Sequence, residues 1–115
     1  MNVDLAGQII GAVDRYWAEE VQILGIWEDA PASACLVYRR TVDPMKTLGS
    51  RFEFGANSAD GTIEGFARDI AINLAEPIGR AAGRRDQHGI FWAGIPADRP
   101  IPGLPGEVVQ KLGNR

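Results

Sequence analysis

The chain is predicted to fold as an α+β two-layer sandwich, in the order α-β-β-β-α-β, followed by a proline-rich tail. Three observations predict it. Two segments repeat apolar residues at helical spacing, four short segments are β-favouring and apolar, and four of the seven prolines fall within residues 96–105. Two helical stripes and one four-stranded, mostly antiparallel sheet combine most simply with both helices on one sheet face.

The first helix is expected from residue 3 to about residue 20. Leu5, Ile9, Ala12, Val13, Tyr16 and Trp17 form its stripe, with Asp14, Arg15 and Glu19 largely opposite. Asn2 or Asp4 is a suitable N-cap. Gly7 and Gly11 lie one helical turn apart and suggest a close approach by another backbone.

Val21 to Trp27 follows as a strand, with Val21, Ile23 and Trp27 on one parity and Leu24 and Ile26 on the other. Residues 28–33 contain Asp29 and Pro31 and read as a turn. Ala34 to Thr41 is the second strand. The third runs from about Leu48 to Phe54, after a loop holding Asp43 and Pro44. Pairing Val37 with Phe52 would place Cys35 and Val37 on the Phe52 face, and Leu36, Tyr38 and Arg40 with Arg51 and Glu53.

The second helix carries Ile63, Phe66, Ala67, Ile70, Ala71 and Leu74 as its stripe. Asp60 or Ser58 is its candidate cap, and Pro77 ends or kinks it at Glu76. Residues 79–85 form a glycine- and arginine-rich connector. The last strand, Gly89 to Ile95, is apolar on both parities and reads as central and buried on two sides. One intervening helix returns the chain to the starting end of the sheet, so the third and fourth strands are expected to be parallel. Residues 1–95 thus make one α+β domain. Residues 96–115 make a tail that packs on the domain or on a partner, with a short helical segment between Glu107 and Leu112.

At 115 residues, with 45% hydrophobic and 23% charged side chains, the chain is sized and composed for one ordered domain. A net charge of −3 argues against nucleic acid, since Arg39, Arg40, Arg80, Arg84 and Arg85 do not amount to a basic field. No apolar run reaches the roughly 20 residues that span a bilayer. With no basic-then-apolar leader at Met1 to Asp4 and a single cysteine, the expected location is cytoplasmic.

The sequence carries no catalytic constellation. His88 is the only histidine, at the start of the last strand, and reads as a strand-end residue. Cys35 is the only cysteine and reads as a small core hydrophobe. Neither a metal nor another cofactor is expected. The informative feature is an apolar surplus. With helices on one face, the other still presents Leu24, Ile26, Leu36, Tyr38, Ile90 and Trp92, rimmed by Glu28, Arg40, Arg51, Glu53 and His88. Three occupants could cover it: the tail, a second molecule or a ligand. The favoured expectation is a non-enzymatic protein-interaction module of adaptor, chaperone or immunity type, a homodimer that also binds another protein. The alternative is a small-ligand binder or enzyme, with Tyr38, Arg40, Arg51, Glu53, His88 and Trp92 lining a pocket.

Overall fold

The first apolar stripe does form a helix, and its burial shows which way it faces. In the computed structural model, which describes residues 3–29, 33–53, 62–74, 84–93, 95 and 98–113, α1 spans Val3–Trp17. Ile9 and Val13 are fully enclosed, and Ala12 is buried beside them. Tyr16 leaves the stripe: it is exposed and meets Trp17 edge-on, with ring centroids 5.3 Å apart. The helix stops three residues early, because Ala18 takes a left-handed φ of 53° and its N–H closes onto the Asp14 carbonyl at 2.9 Å. Gly7 and Gly11 do not admit a neighbouring backbone. A methyl at Gly7 would meet nothing, and one at Gly11 would meet only the Arg15 guanidinium at 3.4 Å.

The second helix, α2, spans Ile63–Asn73 and packs beside α1. The Trp17 indole N–H donates to the Ala71 carbonyl at 2.8 Å and ties the two together. Thr62 is its N-cap, its hydroxyl accepting the Gly65 N–H at 2.9 Å. The expected caps Asp60 and Ser58, the N-terminal caps Asn2 and Asp4, and the Pro77 boundary lie outside the described residues or side chains.

Among the described residues five strands form the sheet: β1 Val21–Trp27, β2 Ser33–Arg40, β3 Asp43–Glu53, β4 Arg84–Arg85 and β5 Phe91–Ala93, in the spatial order β1-β2-β3-β5-β4. The first three make an antiparallel meander, and β3 runs parallel to β5, as a one-helix crossover requires. The sheet is therefore mixed, with one strand more than expected. The extra strand, β4, comes from the end of the arginine-rich connector and pairs antiparallel with β5. The start of the expected central strand is spent on the β4–β5 turn. There Asp86 Oδ1 accepts the N–H groups of His88 and Ile90 at 2.8 and 2.9 Å, and Gly89 takes φ 80°. β3 is longer than expected and contains Asp43 and Pro44. Its pairing with β2 jumps from Thr47 to Asp43, so Pro44 sits where no ladder bond is lost.

Two corrections of register decide what each face carries. Val37 pairs with Gly49, not Phe52, and Phe52 pairs with Ala34. The difference is three residues, an odd number, so every side chain of β2 changes face relative to the expectation. Leu36 and Tyr38 point into the helical layer with Phe52, while Cys35 and Val37 point away from it. In β1 the register shifts between Ile23 and Gly25, leaving Leu24 as the extra residue of a bulge. The bulge reverses the alternation: Ile26 joins Val21 and Ile23 on the helical side, and Trp27 joins Leu24 on the other.

That second face is covered from within the chain. Leu24, Cys35, Val37, Ile90, Trp92 and Val108 form one buried cluster, with Trp27, Ile95, Ile101, Leu104 and Leu112 packed against it. Val108 and Leu112 belong to α3, Gly106–Gly113. Among the described residues the architecture is three-layered: two helices, the sheet, then residues 95 and 98–113. Two glycines let the layers close. A Cβ at Gly49 would lie 2.7 Å from the Trp92 ring, and one at Gly25 would lie 2.5 Å from Val108.

Candidate interaction site

The ten residues singled out in the sequence do not meet on one surface. Leu36 and Tyr38 are buried beneath the helices, with Ile26 half-buried on the same side. Leu24, Ile90 and Trp92 are buried on the opposite side, beneath the C-terminal segment. Tyr38 shares a 3.0 Å hydrogen bond with Ser50, and burial pushes its hydroxyl up to about 12. Trp92 is 1% exposed, its indole N–H donating to Asp86 Oδ2 at 3.0 Å. His88 is exposed in the β4–β5 turn, and Arg40 is half-buried with no partner for its Nε among the described residues. Tyr38, His88 and Trp92 therefore line no common pocket. Replacing His88 by alanine should change stability by less than about 0.5 kcal/mol in chemical denaturation. A larger loss would reveal a structural duty for the ring.

Arg51 and Glu53 do come together, around an acid that the sequence reading assigned only to a turn. Arg51 Nε donates to Asp29 at 2.9 Å and its Nη1 to Glu53 at 2.7 Å, while the Ser33 hydroxyl donates to Asp29. Burial alone would raise the Asp29 carboxyl, but the hydrogen bonds from Ser33 and Arg51 outweigh it and hold the group below the usual carboxylate range. Hydrogen bonding to Arg51 likewise lowers Glu53. This network braces the β1–β2 turn against β3.

Cys35 lies beneath it, fully buried. Burial, with the Asp29 charge, pushes its thiol up to about 12. A thiol so placed is protonated at neutral pH and inert. It should label with a thiol reagent only as the protein unfolds. Because the folded thiol and the Tyr38 hydroxyl both titrate above their unfolded values, the stability they hold is complete below about pH 9 and lost as pH rises towards 12. Denaturation at pH 10 should show roughly 1 kcal/mol less stability than at pH 8, and Cys35→Ala should reduce that difference.

The surface that remains open is an edge. A five-stranded sheet has two, and this chain treats them differently. β4 is two residues long, both arginines, and Arg85 lies over the Phe91 ring at 4.8 Å, with Lys46 over the same ring at 5.5 Å. Short, charged strands are a standard way to prevent pairing at an edge. β1 is seven residues of Val-Gln-Ile-Leu-Gly-Ile-Trp, paired only with β2 among the described residues. A groove of about 570 Å³ runs along it. Its floor is β1, one wall is α1 through Ala6, Ile10 and Asp14, and Lys111 of α3 stands opposite. Ile10 is 44% exposed there. The bulge at Leu24 twists the edge and so limits which strands can pair with it.

The sequence reading left Ile10 out of the helical stripe. An isoleucine just off the stripe was the available signal for this groove. A second groove, of about 530 Å³, lies between α1 and α2 and is lined by polar and apolar groups alike, among them Gln8, Arg15, Glu64, Arg68, Ala12 and Tyr16. Among the described residues no three of His, Cys, Asp and Glu gather to hold a metal, and no helix is long and apolar enough to cross a membrane. Comparison with family models, curated proteins and solved structures returned no match for this chain.

Proposed function

We propose that this chain is a non-enzymatic protein-interaction module whose contact surface is the outer edge of β1 and the groove beside it. The observation that carries the reading is the contrast between edges: one is short and arginine-blocked, the other long, apolar and, among the described residues, unpaired. A strand added to β1 would gain main-chain hydrogen bonds along the ladder, and its side chains on the helical side would settle against Ile10 and Ile23. The face once expected to form a homodimer is no longer its support, because Trp92 and Ile90 are enclosed by the chain itself. The pocket expected for a small ligand is not assembled either.

Selecting displayed nine-residue peptides on the immobilised protein tests the reading. Bound peptides should slow amide exchange in β1. The Ile10→Lys variant should bind them at least about tenfold more weakly while keeping wild-type stability, since the side chain is already half in water. Enriched peptides that leave β1 unprotected and ignore Ile10→Lys would overturn it.

A further inference from the structure

We infer that the segment received by β1 belongs to another protein and carries a lysine or arginine beside the Val21 end of the strand; this rests on β1 being the contact surface. Asp14 and Glu19 both line that end of the groove, and Glu20, exposed, precedes Val21 directly. Lys111, on the wall formed by α3, is the one cation lining the groove among the described residues; Arg40, the cross-strand partner of Val21, does not line it. A strand placed there needs an apolar body for Ile10, Ile23 and Ile26 and a positive charge to face the acids.

A second copy of this chain does not supply that chemistry. Two-fold pairing of β1 with itself is antiparallel, so the residues after Trp27 in one copy come to lie beside those before Val21 in the other. Those residues are Glu28 and Asp29 against Glu19 and Glu20, so the strand that would lie there brings no lysine or arginine to the acids. Asp29 is already engaged by Arg51 and Ser33 within its own chain. The chain's other edge is basic but, as the two-residue strand Arg84–Arg85, cannot fill a seven-residue partner.

The test compares peptide selections on the wild type and on an Asp14→Lys/Glu19→Lys double variant, both side chains being exposed. The wild type should enrich apolar peptides with lysine or arginine near one terminus. Added salt should weaken those peptides, and the double variant should bind them at least about tenfold less tightly and enrich acidic termini instead. Peptides that protect β1 but show no charge preference, or a sedimenting dimer dissolved by Ile10→Lys, would overturn the inference while leaving β1 as the contact surface. Enrichment of nothing that protects β1 would overturn both.

Discussion

Replacing Gly49 with alanine should destabilise the protein by about 3 kcal/mol, at the upper end of what overpacking costs. The added methyl would stand 2.7 to 2.8 Å from three atoms of the Trp92 indole, closer than carbon atoms approach one another. The ring cannot retreat easily. Its N–H is held by Asp86, and Trp27 meets it edge-on with centroids 6.0 Å apart. Relief therefore needs movement of β5 against β3, whose Gly49 and Trp92 are register partners. Urea denaturation reads the loss, and Trp92→Leu in the same chain should return part of it. If Gly49→Ala is as stable as the wild type, the indole does not lie over the strand backbone.

Trp92→Ala should cost more, about 4 kcal/mol from lost burial and the cavity left behind. An indole removes roughly 150–250 Å² from water, and here it also satisfies Asp86, the residue that organises the β4–β5 turn. The variant should unfold at lower denaturant and lose protection first in β4, β5 and the C-terminal segment packed over them. Uniform loss across the sheet, with α3 still protected, would mean that the outer layer is held by contacts other than this ring.

Those positions also mark where the sequence was legible and where it was not. The α+β class, the two helical stripes and the parallel pairing of β3 with β5 were legible, because each rests on a pattern repeated over many residues or on a connection of fixed length. The faces were not. One extra residue at Leu24 moves Trp27 from one layer to the other, and a bulge leaves no trace in composition. The three-residue slip between β2 and β3 hides equally well, since Cys35, Leu36, Val37 and Tyr38 are all buried whichever way they point. The tail was legible only as something that packs on the domain or on a partner, because its prolines stand out more than Ile101, Leu104 and Val108 between and beyond them. The β1 edge was hidden for a related reason: a strand apolar on both parities reads as central, although here both its faces are partly covered and only its side is open.

The outer layer also has a timing. During synthesis the residues of α1, α2 and all five strands precede the segment that shields Trp27, Cys35 and Trp92. Without that segment the sheet carries a bare aromatic face, with Trp27 and Trp92 open to water. Termination within the proline cluster would leave the chain in that state. Chains released there would hold most of the helical core yet lack the cover that keeps them apart, so premature termination in this short stretch should yield aggregates rather than an unfolded, degradable fragment.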